Sequence, residues 1–599
     1  MLSLKEKIRL FVYDRQGAVL KTLRRASFFM ALLSLGLLLY LAGFNLSTQT
    51  ETIAIGVIKV ILVYFIFVYA LRFFFSISKL GFLRTTWLEF LLMAMLVVDG
   101  ISLYLFQFPL LAKIFEPFGI ENFTPIYLMF IQLYIVVFAG LEVIRSNPGL
   151  SRIRIKFSLG LVISLAILGL LGALLLMMPQ MYTGRAPTFL ESLFTSVSAI
   201  SQTGLILVDT GSFWTVKGQF VVMMLIQIGA LGIISFSTFF GTYLAQGLNL
   251  RQQHMVSEFF TSDSRFKTED LARQIIFYTI FINLFGAIII YFLWDPSVVF
   301  KSLGDKIFNS IFHSVSAFCN AGFSTFPQGI YTDPVRHSYM LHMALLMLVF
   351  LGSVGYPTLH DLFGIHHVRD RLQFAWKKLK LDSQISLYTA IVLIIFGAVM
   401  FYFLEYNRSM ADLKGGPAWI TAFFQSVMRT AGFNTVDISA VGSPMLIVFC
   451  FLMFVGGGSA SVCGGIRTST FAIICVSLWN SIRGKNVMTI GNREITTDLY
   501  NKVISIFLFA TCWVLGATFV LTITDPDLPF IKLIFEEVSA FGTCGLSTGI
   551  TGTLSEAGKW VILLSMYVGR VGTLTLVVAL GTQVTKSKYK YPTARIMVG

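Results

Sequence analysis

The chain has 599 residues, 56% hydrophobic and 13% charged, with a mean hydropathy of +0.79. That composition excludes an ordinary soluble domain and indicates many membrane crossings. The net charge of +15 calls for no nucleic acid, because a multi-pass protein collects Lys and Arg in its inner loops.

The basic, amphipathic start MLSLKEKIRLFVYDRQGAVLKTLRR carries no cleavage pattern and is expected in the cytoplasm. Four apolar segments follow, near 26–46, 52–74, 86–110 and 123–144. Each is long enough to cross a hydrocarbon layer of about 30 Å. Lys79 and Arg84, then Arg145, Arg152, Arg154 and Lys156, mark inner connections. This extension occupies 1–155. A unit of long helix, short apolar helix and long helix then recurs four times. Module one (156–246) is expected to use 157–179, 189–201 and 217–245. Module two (270–364) uses 273–294, 305–318 and 338–362, and module three (383–481) uses 384–405, 416–429 and 443–480. Module four (500–585) uses 500–524, 530–542 and 557–583, leaving a tail at 586–599. Basic joints between modules and twelve spans return both termini to the cytoplasm. The architecture is therefore an all-α polytopic membrane protein, without strand alternation. The six cysteines form no CxxC pair and indicate neither a metal site nor a disulfide framework.

Each short helix ends in a related motif: SVSAISQTGLILVD (196–209), SVSAFCNAGFSTF (314–326), SVMRTAGFNTVD (426–437) and EVSAFGTCGLSTG (537–549). Aligned on Gly204, Gly322, Gly432 and Gly545, they carry a serine six residues earlier (Ser198, Ser316, Ser426, Ser539). A bulky apolar residue follows each glycine (Leu205, Phe323, Phe433, Leu546). A dozen apolar residues cannot span a bilayer, but they can dip in and turn back. Irregular backbone survives at that depth only where protein buries it or water reaches it. Glycine lets carbonyls turn toward a shared axis. Four such loops would make rings of carbonyl oxygens able to replace the water around a cation such as potassium. The short helices would aim their negative ends at that ion. One such loop reads as an ordinary turn; four in equal register read as a pore.

The last helix of module three is too long for one span and contains Gly456, Gly457, Gly458, Ser459, Ala460, Ser461, Val462, Cys463, Gly464 and Gly465. Five glycines in ten residues favour two half-helices joined by a loop at membrane depth, placed to obstruct and release the path. Arg570 lies mid-way along the final span, where a charge must face protein or water. It is either an electrostatic barrier below the pore loops or the partner of a buried carboxylate, with Asp99 and Glu142 as candidates. Arg429 cannot point into a cation path. It is expected to brace the backbone behind it, with Glu536 or Glu537 as partner.

RTAGFNTVD (429–437), GGGSASVCGGIRTSTFA (456–472) and GRVGTLTLVVAL (569–580) resemble the Trk/Ktr/HKT superfamily of potassium transporters, and within it the Ktr-type membrane subunit. The resemblance covers about 155–585. It implies a homodimer with one pore per subunit, potassium uptake with sodium as a modulator, and a cytosolic nucleotide-binding ring of RCK type as partner. It places K+ only at a filter of Gln202, Thr203, Gly204, Asn320, Ala321, Gly322, Thr430, Ala431, Gly432, Thr543, Cys544 and Gly545. It makes 456–465 the gate loop, with Arg570 facing it. Serine at the first filter position marks sodium-selective plant members, so four glycines favour potassium. Arg467 stands where the family motif has lysine, keeping the charge on a wider donor. The four N-terminal spans exceed the family's eight-helix pattern. Arg72 and Asp99 lie in or beside these spans, but no arginine recurs at every third position, so packing or a partner platform is the expected role.

A sodium-conducting or poorly selective transporter of the same fold is the alternative. A secondary carrier binding at the midplane would need serial intramembrane carboxylates. A membrane enzyme would need clustered His, Asp or Glu. The chain has only isolated ones, so no enzymatic activity is expected.

Overall fold

The computed structural model describes residues 32–75, 79–85, 157–239, 268–374, 378–484, 489–490 and 493–572, with scattered positions between 22 and 102. The expected span at 123–144, the cytoplasmic tail and both candidate carboxylates, Asp99 and Glu142, lie outside the described residues. The chain divides into two compact units. The smaller joins 1–154 with 178–186. It contains a long apolar helix, Thr48–Phe75. Within this unit the Gln180 amide donates to Gly43 O at 2.9 Å.

The larger unit holds the helices of the four modules, with residues 178–186 of the first counted in the smaller unit. The first helices run Phe157–Leu176, Thr268–Leu293, Leu381–Glu405 and Thr497–Thr524. The short helices run Phe189–Ser201, Leu303–Phe318, Gly416–Met428 and Phe530–Phe541. Their starts are written in the sequence. Thr188 and Glu191 form a capping box, Ser302 accepts the Asp305 amide, and Pro417 occupies the third helix's first turn. Phe194, Phe312, Phe424 and Phe535 are completely buried, one in each short helix. Truncating such a side chain typically costs about 3–5 kcal/mol, so these rings anchor each short helix between its flanking long ones.

The second helices differ among modules. Module one has Val216–Phe239 and module four Glu556–Val571. In module three, Ser443–Phe454 and Thr468–Ile482 are separate helices, as the glycine-rich stretch between them requires. Module two departs from the continuous helix expected at 338–362. Tyr339–Val354 and Tyr356–Phe363 meet at a bend of 107°. Gly355 makes the bend at φ +95°, and Pro357 lies in the first turn of the second piece. A two-residue hairpin pairs Thr489–Ile490 with Arg493–Glu494, an element too short for an alternation pattern to reveal.

Three second helices pack by glycine. A Cβ on Gly229, Gly352 or Gly569 would run into a carbonyl at the end of that module's own short helix, at Ile200, Phe318 and Phe541. Gly229→Val is therefore expected to destabilise the protein by about 1–3 kcal/mol through overpacking, read as a lower thermal midpoint in detergent. An unchanged midpoint would contradict this contact.

Candidate functional site

The four motif glycines come together in a closed ring. All have positive φ, +88° at Gly204, +70° at Gly322, +75° at Gly432 and +88° at Gly545. A Cβ on Gly204 would meet Ala321 O, and one on Gly322 would meet Ala431 O. A Cβ on Gly432 would meet Cys544 O, and one on Gly545 would meet Thr203 O, which closes the circle. Each loop thus abuts the next in chain order, and modules one and three stand opposite. Each glycine is partly exposed, while Thr203, Ala321, Ala431 and Cys544 before it are buried. Leu205, Phe323, Phe433 and Leu546 after it are buried as well. Backbone, and not side chain, borders the accessible space.

The side chains two residues before the glycines turn away from the ring. Gln202 Nε2 donates to Ile226 O at 3.4 Å. The Asn320 side chain meets the Thr430 hydroxyl at 3.1 Å, tying loop two to loop three. The Thr543 hydroxyl accepts the Gly464 amide at 2.7 Å. Cys544 Sγ donates to Arg429 O at 2.5 Å, tying loop four to loop three. Gln202, Asn320 and Thr543 share the left-handed conformation, but Thr430 does not.

That exception reflects a register change which alignment on the glycine concealed. Ser196, Ser314 and Ser426 play one role, each donating at 2.7 Å to a carbonyl of its module's first helix (Gly169, Asn283, Ile394). Ser426 is six residues from its glycine, whereas Ser196 and Ser314 are eight from theirs (432−426 against 204−196 and 322−314). Loop three is two residues shorter. The expected equivalence of Ser426 with Ser198, Ser316 and Ser539 therefore fails. Ser198 and Ser539 accept their glycine's amide at 3.1 Å, and the Ser316 hydroxyl donates to Phe323 O at 2.7 Å. Gly432 instead donates to Met428 O at 2.8 Å. The signal was present in the sequence as FTSV, FHSV, FQSV and FEEV at 194–197, 312–315, 424–427 and 535–538.

In modules two, three and four the second residue of that tetrapeptide pins the segment beyond the glycine, a role the glycine repeat did not reveal, whereas Thr195 in module one donates to Glu191 O within its own helix. His313 Nε2 bonds Ser324 Oγ at 3.0 Å, and Gln425 Nε2 donates to Thr435 Oγ1 at 3.2 Å. Glu536 accepts the Thr548 amide at 2.9 Å, the Thr551 hydroxyl at 3.0 Å and the Ser547 hydroxyl. Glu536 is thus committed to its own loop and does not pair with Arg429. Arg429 does brace backbone, donating from Nη1 to Leu452 O and Val455 O at 2.6 Å each. Those carbonyls end the first half-helix of module three. The neighbouring Glu537 is also buried.

Residues 456–465 fill the break in module three. Gly456 follows Gly432 by the same 24 residues that separate Gly569 from Gly545 (456−432 and 569−545). Gly458 donates to Ser353 O at 2.7 Å, beside the bend in module two, and Ser459 Oγ contacts Ser469 Oγ at 2.9 Å. A Cβ on Gly457 would meet Ser353 O and Ser461 Oγ, so the loop passes too close to its neighbours to carry side chains there. Arg467 staples the loop to itself, donating to Cys463 O at 2.7 Å and Ser461 Oγ at 3.0 Å. Gly465 has φ +69°. Arg570 is buried, donating to Gly229 O at 2.6 Å and to Val462 O inside the loop. Among the described residues no carboxylate pairs with it.

Comparison with known proteins decides the family. The TrkH cation transport protein family model matches residues 151–589. The chain belongs to this family. Ktr system potassium uptake protein D of Bacillus subtilis (strain 168) is 33% identical over 419 residues, 69% of this chain and 90% of that protein. Ktr system potassium uptake protein B of Vibrio alginolyticus is 33% identical over 446 residues, 73% of this chain and 94% of that protein. The potassium/sodium uptake protein NtpJ of Enterococcus hirae is 31% identical, covering 72% of this chain and 95% of that protein. In structure, the chain is similar to the potassium transporter TrkH of Vibrio parahaemolyticus, with a TM-score of 0.58 at 16% identity, covering 82% of this chain and 97% of that one. This TrkH-family chain is a multi-pass membrane protein, and its first 150 residues lie outside the family match.

A β-branched residue at a ring glycine needs an unfavourable φ and meets a carbonyl of the next loop. Gly204→Val or Gly432→Val is expected to lower cation uptake at least tenfold at equal membrane expression. Unchanged uptake would contradict the ring as the conducting element.

Proposed function

We propose that this chain carries potassium ions into the cell through the centre of the four-loop ring. The observation that carries the reading is the closed circle of glycines against carbonyls, with accessible space bordered by backbone. Carbonyl oxygens of residues 203, 321, 431 and 544 are the groups available to replace water around a dehydrated monovalent cation. Gln202, Asn320, Thr430 and Thr543 hold that backbone from behind. The loop 456–465 is the gate. Its small residues let it lie close under the ring, and its attachments on both sides come from neighbouring modules. Arg570, fixed by two carbonyls, sets a positive charge beside the gate, where it slows cation passage.

In this reading the modules are 156–246, 270–364, 383–481 and 500–585, both termini are cytoplasmic, and the protein works in the cell membrane. The two relatives named as Ktr system proteins support a Ktr-like assembly: a homodimer of this chain over a cytosolic RCK-type nucleotide-binding ring, with sodium as modulator. The relative named for both potassium and sodium keeps sodium conduction as the competing outcome.

The test is growth of a potassium-uptake-deficient bacterium at low external potassium, with rubidium and sodium uptake measured in the same cells. Rescue with rubidium uptake above sodium uptake is expected. Sodium uptake without rubidium uptake would overturn the potassium reading. Shortening the loop within 456–465 is expected to raise rubidium uptake several-fold, and an unchanged rate at equal expression would contradict its role as gate.

A further inference from the structure

We propose that Thr543 is a latch: a positioning residue that holds the gate loop in its obstructing place from the filter side. The inference rests on the reading of 456–465 as the gate and goes beyond it by naming what keeps the gate shut.

Three observations carry it. The first is the bond itself, from the Gly464 amide to Thr543 Oγ1 at 2.7 Å, between two buried groups. The second is the absence of any spacing layer. A Cβ on Gly464 would fall 2.6 Å from Thr543 Cγ2 and 3.1 Å from Gly569 O. One on Gly465 would fall 3.4 Å from Gly542 Cα. Residues 464–465 therefore lie directly against the Thr543 side chain and the Gly542 backbone. The third is the residue type. Thr543 has φ +48°, a conformation that a β-branched residue adopts at a cost. Gln202 and Asn320 share that conformation, but Gln202 reaches Ile226 O, and Asn320 meets the Thr430 hydroxyl and Cys463 Sγ, so neither receives a main-chain amide of the loop. The short hydroxyl at 543 is the group placed to receive a gate-loop amide.

Removing this acceptor leaves the Gly464 N–H buried and unsatisfied while the loop is closed. Opening relieves that penalty by giving the amide to water. One hydrogen bond of ordinary net strength shifts such an equilibrium about fivefold. The other loop contacts, from Arg467 and Arg570, remain in place, so the loop loosens without collapsing.

The experiment measures rubidium uptake in cells for Thr543→Val and Thr543→Ser. Each is placed in the full chain and in the chain shortened within 456–465. In the full chain Thr543→Val is expected to raise uptake about fivefold, the worth of one hydrogen bond. Thr543→Ser, which keeps the accepting oxygen, should raise uptake less than Thr543→Val does. In the shortened chain Thr543→Val should lose that fivefold gain, because there is no loop to release. Equal effects of Thr543→Val in both backgrounds would place its action in the filter alone and overturn the latch. No effect in the full chain would overturn it as well. A shortened chain that runs no faster than the full one would instead overturn the gate reading, and the latch with it. Gly464→Ala probes the same contact from the other side, should Thr543→Val fail to reach the membrane. It should also raise uptake, and an unchanged rate would count against the latch.

Discussion

In a ring of four re-entrant loops, the tightest contact lies between one loop's glycine and the carbonyl of the next. Where Gly204, Gly322, Gly432 and Gly545 would carry a Cβ, the neighbouring loop's backbone stands. Much of the surrounding architecture serves that contact. The buried phenylalanines seat the short helices. His313, Gln425 and Glu536 pin the strands that follow the glycines. Gly229, Gly352 and Gly569 let the second helices press on the ends of the short ones. Each device places main chain against main chain, because a carbonyl ring can be only as exact as the backbone behind it. Such preorganised dipoles suit a cation that must give up its water.

Module three breaks the symmetry twice, and Arg429 joins the two departures. Its loop is two residues shorter, which removes the left-handed residue present in the other three. Its second helix is interrupted. Arg429 leaves the shortened loop and bonds Leu452 O and Val455 O, the carbonyls that the interruption exposes. A broken helix inside a membrane leaves backbone groups that must find partners. Here the Arg429 guanidinium supplies them, and Ser353, Thr543 and Arg570 supply partners for the loop that follows. The loop 456–465 is therefore bonded to the modules on both sides of its own. The bend at Gly355 belongs to the same adjustment, since a Cβ there would strike Ser459 O.

Features that depend on chemistry at a fixed spacing were readable in the sequence. The four glycines, the short helices, the split of module three and the positions of the long helices all follow from apolar runs interrupted by glycine. Features that depend on which surfaces meet were less readable. Ser426 matched its counterparts by distance from the glycine, yet it does the work of Ser196 and Ser314, because a two-residue gap cannot be seen while the glycine is the anchor. The kink in module two was hidden within an unbroken apolar run, although Gly355 and Pro357 could have signalled it. Arg429 was correctly expected to brace backbone. A carboxylate was named as its partner because charge suggests charge, whereas unsatisfied carbonyls at a helix end are equally strong acceptors in a dry interior.

The central claim is that carbonyl oxygens of residues 203, 321, 431 and 544 surround the ion. Anomalous diffraction from crystals of the full chain grown in rubidium tests it most directly. The account predicts a rubidium peak at the centre of the ring formed by these four residues. Rubidium bound elsewhere in the protein, with the ring centre empty, would contradict it.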